Sequence, residues 1–571
     1  MPRLARLAAE ELPEVEKTSY SAVVRELVRK NPEFFLFATL AAIALRLLFI
    51  LRVPAITTDS FVYGDIAKNW LEQGIYGLSG LTRVSPTDIR LPGYPAFLAL
   101  IFGVFGMEHY RAVLLLQMLV DIATCLVIAD LARRLLSPRA AKTAFLLSAL
   151  CPFLANYAAA ALTETWEVFF TALALDFAIA GLEGSGWLPW LACGLASGGA
   201  ILMRPDGVLL PIAIELYLAA LILVRRPRVS PVGTLQFSLR AGLVLALSAL
   251  LPLVPWTVRN WHTFGVFQPL APRYANEANT FVPFGFERWM KTWIADYAST
   301  EEVYWAVPGS PIDAEHLPSR AFDSQDEQDE TEQLLDDYNQ HLQIGPELDR
   351  RFERLAEKRI RQDRWRYWLW LPLLRIADMW LRPRTEILPC NSRWWEFDEE
   401  PRWLAVMIAL GTLNLLYLGA ALAGLVEERR TPNLGLLLGF VMLRSAFLGT
   451  LENPETRYTL EAYPVVILLA ASAWEHWRSG QGNARERGSR RLRSLLAKWR
   501  IGHAEACTDV LGKQFNGRSV ANPIGLGQIL HGLDEQALAV DVARVRTALA
   551  ATRRLGGDGN GKNLGHRLFA L

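Results

Sequence analysis

Apolar residues in this chain gather into continuous runs, with none of the strict alternation of a half-buried strand, and the runs approach the roughly 20 residues that a helix needs to cross a bilayer. Runs of this kind stand at 34–51, 111–132, 143–161, 164–182, 187–203, 207–224, 241–258, 403–426, 433–449 and 462–477. They predict about ten membrane-spanning helices. Two further apolar stretches, 93–106 and 366–381, are ambiguous by length alone.

The basic loops decide those two, because short cytoplasmic loops concentrate Lys and Arg. If neither stretch crosses, Arg133, Arg134, Arg139 and Lys142 fall inside, as do Arg225, Arg226, Arg228 and Arg240, then Arg429 and Arg430, and the basic stretch after Trp477. Making one of the two cross would push some of these clusters outside. Both therefore read as helices lying in the interface, a position that suits Trp368, Trp370 and Trp380 in the second.

This topology divides the chain. Residues 1–33 form a cytoplasmic segment, and the polar start with no small-residue cleavage site reads as a retained first span, not a removed signal. Residues 34–258 form a transmembrane core with a first outer loop at 52–110, residues 259–402 a long outer segment, and residues 403–477 the last spans. The outer segment carries an acidic run, Asp323 to Asp337, most simply a solvated surface. The tail, 478–571, is dense in Arg, Gly and Ser with one amphipathic stretch from Asp534 to Leu555, and is expected to be cytoplasmic and weakly ordered.

Composition agrees with the class: 52% of 571 residues are hydrophobic, 19 are Trp, and the formal charge is +1. The charges lie in separate loops, so no basic face for nucleic acid forms. Five cysteines sit far apart and eight histidines are scattered, which gives no disulfide framework and no metal spacing.

The candidate chemistry lies on the outer rim. Asp59, in Thr57-Thr58-Asp59-Ser60, stands just past the first span and could cap a helix through Ala67 to Leu71, with Ile66, Trp70 and Leu71 toward the bilayer. Glu164 opens a later span on the same side, and ionisable groups at span ends point to function, a cavity or snorkelling. Arg204, in Arg204-Pro205-Asp206, and Arg457, in Glu455-Thr456-Arg457-Tyr458, occupy short outer loops where positive charge is disfavoured. An arginine fork suits a phosphate, although Arg204 could equally pair with Asp206. Arg259 is a weaker candidate, read first as an interface anchor.

Taken in order, Asp59-Ser60 with Tyr63, then Arg90-Leu91-Pro92-Gly93-Tyr94-Pro95, Cys151-Pro152-Phe153, Thr163-Glu164, Arg204-Pro205, Pro255-Trp256 with Arg259-Asn260, and Arg457-Tyr458 before Tyr463-Pro464 resemble the GT-C membrane glycosyltransferases. The nearest group is the one related to protein O-mannosyltransferases and the lipid A aminoarabinose transferase. The resemblance covers about residues 34–477. It implies a GT-C fold and transfer of a hexosyl or pentosyl group from a polyprenyl-phosphate donor to an acceptor lipid, glycan or protein, on the periplasmic or extracellular face of a plasma (inner) membrane.

Within it, Asp59 matches the catalytic acidic position and Glu164 a second acidic one, while Arg204, with Arg457 and Tyr458, falls to the donor phosphate. Tyr63, Arg90, Tyr94 and Arg259 are expected in the substrate pocket. Protein mannosyltransferases carry Asp-Glu where this chain has Asp59-Ser60, which argues against that branch. No cofactor is implied; Glu164 could orient the acceptor, tune Asp59 or help hold a divalent cation. A transporter or flippase of lipid-linked sugars stays open on span count alone, and a scaffold docking through residues 259–402 would explain that segment but not the paired charges.

Overall fold

The computed structural model describes residues 26–184, 186–223, 231–277, 280–397 and 400–478. By contacts the chain divides into Met1–Gln481 and Gly482–Leu571. The second unit, and with it the expectations for the tail, lies outside the described residues, as do the N-terminal 25 residues and the basic cluster Arg225, Arg226 and Arg228.

The first unit is helical. Its elements are α1 (Pro32–Arg52), α2 (Thr58–Gln73), a hairpin of β1 (Gly77–Ser79) and β2 (Val84–Pro86), α3 (Gly93–Phe105), α4 (Tyr110–Leu135), α5 (Pro138–Ala149), α6 (Pro152–Ala158), α7 (Glu164–Glu183), α8 (Leu188–Met203) and α9 (Leu209–Leu223). After α10 (Pro231–Leu250) and α11 (Val254–Phe264), the long segment carries α12 (Phe284–Lys291), α13 (Gln325–His341), α14 (Pro346–Gln362) and α15 (Leu371–Leu381). Then come α16 (Pro401–Glu428), α17 (Leu434–Gly449), a 3₁₀ turn over Thr456–Ala462 and a helix over 463–478.

Six stretches among the described residues are long and apolar enough to cross a membrane: α1, α4, α7, Pro205–Leu223, Leu235–Phe264 and α16. This is an integral membrane protein. Two expected spans are short: α8 and α17 have 16 residues each, or about 24 Å at 1.5 Å per residue against a core of about 30 Å. The run at 143–161 is not one helix. Pro152 drives Cys151 to extended backbone at φ −69° and ψ 112°, so α5 ends and the short α6 begins. The carbonyls freed by the break are met by Arg46 from α1, fully buried, which donates to Ser148 O at 3.1 Å and to Ala149 O while pairing with Asp121 at 2.7 Å. A buried arginine at membrane depth is tolerated because it meets such partners.

Neither ambiguous stretch is among those six. The helix α3 has 13 residues, too short to span. The second, a π turn at Arg366–Trp370 followed by α15, leaves Trp368 70% exposed. Buried Arg375 ties α15 to both neighbours, donating to Ile294 O at 2.8 Å and Gly449 O at 3.3 Å.

The long segment builds its own core from Phe286, Trp289, Trp293, Leu334, Tyr338 and Phe352. Its acidic run is not wholly solvated: Glu327 on α13 is 1% exposed and paired with the buried Arg359 of α14.

Candidate active site

Four local structures carry the rim residues together. First, Ala55 N–H donates to Ala159 O at 2.9 Å and Ala161 N–H to Ala55 O at 3.0 Å, pinning the start of the first loop beside the approach to α7. Gln117 on α4 holds that same strip by donating to Ala160 O at 2.7 Å, and the Tyr94 hydroxyl donates to Gln117 at 2.7 Å. Second, α3 lies close on the end of α8, because a Cβ on Gly93 would come within 2.6 Å of Leu202 O. That contact explains the glycine in Leu91-Pro92-Gly93-Tyr94-Pro95, one residue pair before Arg204 across the junction. Third, Arg259 donates to Tyr76 O at 2.6 Å and Thr87 O at 2.8 Å, anchoring the hairpin of the first loop. Fourth, the 3₁₀ turn at Thr456–Ala462 presents Arg457 and Tyr458.

The helix cap is Thr57, extended at φ −97° and ψ 177°, and not Asp59 as the sequence suggested. Thr57 N–H donates to the buried Ser60 Oγ at 3.0 Å, so Ser60 has a structural task at the helix start. Asp59 projects from the first turn, where free N–H groups and the helix dipole favour an anion. Ile66, expected toward the bilayer, is instead fully buried against Tyr76, Leu91 and Trp256.

Asp59 accepts from Arg90 Nη2 at 2.9 Å, and its other oxygen lies 3.5 Å from Arg457 Nη1. The same Nη1 is 3.4 Å from Glu164 Oε1, and Arg457 Nε is 2.6 Å from Glu455. One guanidinium thus joins three carboxylates. Behind it, Arg204 is 3.8 Å from Glu164, 3.8 Å from Glu167 and 3.3 Å from Asp206, with its guanidinium 4.3 Å from the centre of the Tyr458 ring. Burial pushes the Asp59 carboxyl up, but Arg457, Arg90 and Arg204 outweigh it and hold the group below its ordinary value.

A cavity of about 650 Å³ opens on this cluster. Its lining includes Thr58, Asp59, Glu455 and Arg457, with Tyr274, Glu287, Tyr304 and Glu386 from the long segment. Burial, then repulsion from Glu452, pushes Glu287 up to about 8. Among the described residues no group of three or more His, Cys, Asp or Glu side chains is placed to hold a metal ion.

The structure therefore brings together Asp59, Arg90, Arg457, Glu164, Arg204 and Tyr458, with Tyr63 alongside under the Arg90 guanidinium at 5.7 Å. Of the expected site residues only Asp59 and Arg457 line the cavity; the expected pocket residues Tyr63 and Arg90 lie beside Asp59 without lining it, and Tyr94 and Arg259 hold Gln117 and the carbonyls flanking the hairpin. Arg204 sits behind the lining, and its pairing with Asp206 is present. Sequence reading missed Glu167, Asp206 as part of the cluster, Glu455, Glu287 and Glu386. Glu167 was findable, one turn after Glu164 on the same helix face. Glu287 and Glu386 come from the long segment and carry no local signal.

Residues 86–256, less than a third of the chain, match the sequence profile described as dolichyl-phosphate-mannose-protein mannosyltransferase. Over this segment the chain is similar to that family. The matched region runs from the first loop through α8 and Arg204 to α11, and so includes Arg90, Glu164 and Arg204 but neither Asp59 nor Arg457. No curated protein matches the chain.

Among solved GT-C structures, the oligosaccharyltransferase of Archaeoglobus fulgidus tethered with an acceptor peptide is 12% identical with a TM-score of 0.43, over 77% of this chain and 49% of that one. The same archaeal enzyme with an inhibitory peptide and a dolichol-phosphate is 13% identical at a TM-score of 0.41, over 80% and 52%. ArnT from Cupriavidus metallidurans bound to undecaprenyl phosphate is 15% identical at 0.33, over 76% and 78%. The chain spans about half the length of the archaeal GT-C enzyme, and likenesses this loose transfer no residue's role.

The Asp59 geometry yields a pH prediction. In Arg90→Gln one of the cations that depress the Asp59 carboxyl is gone, while burial still raises it, so its value rises. If its ionised form is needed, the acid limb of a kcat/KM profile must move to higher pH. The sign for stability is parallel: a depressed carboxyl stabilises the fold above its unfolded value and loses that contribution as pH falls through the folded value. The variant keeps less of it. An acid limb that stays put or moves down would separate Arg90 from Asp59.

Proposed function

We propose that this protein moves a hexosyl or pentosyl group from a polyprenyl-phosphate donor to an acceptor lipid, glycan or protein on the outer face of the membrane. The observation that carries the reading is the cavity wall on which a carboxylate, Asp59, and a guanidinium, Arg457, face one space 3.5 Å apart. Transfer from a phosphate needs that pair of functions.

The departing polyprenyl phosphate is stable as an anion, so the leaving group needs positive charge more than a proton. Arg457 supplies it at the cavity surface, with Arg204 behind it adding field through Glu164 and Tyr458. The acceptor hydroxyl does need a base, because its own pKa lies far above 7. Asp59 takes that proton as the hydroxyl attacks the anomeric carbon opposite the phosphate, which breaks the carbon–oxygen bond and inverts the centre. A carboxylate held by two arginines is a weak base. Donor phosphate drawing on Arg457 would loosen one of those holds and make Asp59 more basic when the site is loaded.

Glu164, buried beside them, balances Arg457 and Arg204 and keeps them fixed. A divalent cation is not required by this scheme. The orientation is tested by a reporter fused at Asp336: it should read on the non-cytoplasmic side, and a cytoplasmic reading would remove the outer-face assignment.

A further inference from the structure

A second buried arginine lies behind the cluster, on a different helix. Arg444, in the last part of α17, is 1% exposed and reaches three residues on two other elements, the Pro205–Val208 turn and the 3₁₀ turn at Thr456–Ala462. Its Nε donates to Tyr458 O at 2.9 Å, and its Nη2 donates to Asp206 Oδ2 at 2.8 Å and also to Glu461. The other oxygen of Asp206 lies 3.3 Å from Arg204 Nε.

Besides Glu164 and Glu167 at 3.8 Å, the Arg204 guanidinium has Asp206 at its edge at 3.3 Å and the Tyr458 ring under its face at 4.3 Å. Arg444 holds Asp206 through its carboxylate and Tyr458 through its main-chain carbonyl. Tyr458 also adjoins Arg457 in sequence, and its hydroxyl donates to Glu455, the partner of Arg457 Nε. A carboxylate shared between two arginines is fixed from both sides and cannot rotate to follow one of them. A planar guanidinium is suited to this because its donors leave in one plane at set angles, whereas an ammonium cannot meet three acceptors in the same way.

We propose that Arg444 is a positioning residue for donor binding: it touches no substrate, and sets Arg204 and the Arg457–Tyr458 turn through Asp206 and the Tyr458 carbonyl. The inference rests on the reading that Arg204 and Arg457 receive the donor phosphate.

The test compares the full-length wild type with Arg444→Gln, Arg444→Lys and Asp206→Asn in detergent or nanodiscs, with a polyprenyl-phosphate sugar as donor. Arg444→Gln should raise the apparent donor KM about tenfold while kcat changes by less than about threefold, with Arg444→Lys only partly restoring it. Asp206→Asn, which cuts the same link from its other end, should behave alike, and the double variant should lose no more than either single one. If Arg444→Gln does not fold, Asp206→Asn against Arg444→Lys gives the same split. Equal losses in kcat and kcat/KM, or additive losses in the double variant, would overturn the positioning role.

Arg204→Ala separates this from the reading beneath it. If Arg204→Ala leaves donor KM unchanged, the donor-phosphate assignment of Arg204 falls. If it raises donor KM while Arg444→Gln does not, only the role of Arg444 falls. A buried arginine elsewhere, Arg46→Lys, should lower thermal stability without the KM–kcat split.

Discussion

Asp59→Asn is expected to lower sugar transfer by about 10² to 10⁴-fold, the contribution typical of a positioned general base. The substitution keeps the shape, and the amide oxygen can still accept from Arg90, whose contact with Asp59 is 2.9 Å. The Asp59 side chain is one-third exposed, so loss of its charge should not prevent folding or insertion. What it removes is a proton acceptor on the cavity wall, and what it frees is Arg457, which in the native site lies 3.5 Å from that carboxylate. The apparent donor KM should therefore stay level or fall while kcat collapses. Wild-type rates, or a loss carried entirely by donor KM, would take Asp59 out of the proton transfer.

The second large effect is expected at Arg457. Removing a transition-state donor of this kind costs about 10² to 10³-fold in rate, and Arg457→Gln should fall in that range with a raised donor KM. The loss is complicated by what stays behind: Asp59, Glu164 and Glu455 all lie within 3.5 Å of this guanidinium. Breaking a buried charge cluster from one side costs about 3–5 kcal/mol in itself. Arg457→Lys separates the two, since it keeps the charge and loses only the fork. It should recover stability, measured by thermal unfolding in detergent, but only part of the activity. The effect at Arg457 should exceed that at Arg204, which stands behind the cavity lining. The reverse order would mean that donor phosphate binds deeper than the cavity wall.

These two residues mark how far the sequence could be read. Hydropathy is a local property, so runs of the right length located α1, α4, α7 and α16 directly. Local chemistry also revealed Asp59, Glu164, Arg204 and Arg457, because a charge at a span end is conspicuous wherever its partner lies. The partners were not legible. Asp206 and Arg444 meet across 238 positions of chain, and Tyr157 meets Glu386 across 229. No periodicity records such a pairing. A motif marks Tyr63, Arg90, Tyr94 and Arg259, but only packing shows that Tyr94 serves Gln117 and that Arg259 serves the carbonyls flanking the hairpin. The break at Cys151-Pro152 is marked by a proline inside an apolar run, and hydropathy alone reads through it.

The central claim is chemical transfer from a lipid phosphate at the Asp59–Arg457 wall. Its most direct test is to incubate purified full-length protein with a panel of polyprenyl-phosphate sugars and measure released polyprenyl phosphate, with Asp59→Asn alongside. The account predicts that at least one donor is consumed by the wild type, that polyprenyl phosphate appears, and that Asp59→Asn releases little. It is contradicted if no donor is cleaved, or if a donor crosses reconstituted vesicles intact with Asp59→Asn as active as the wild type.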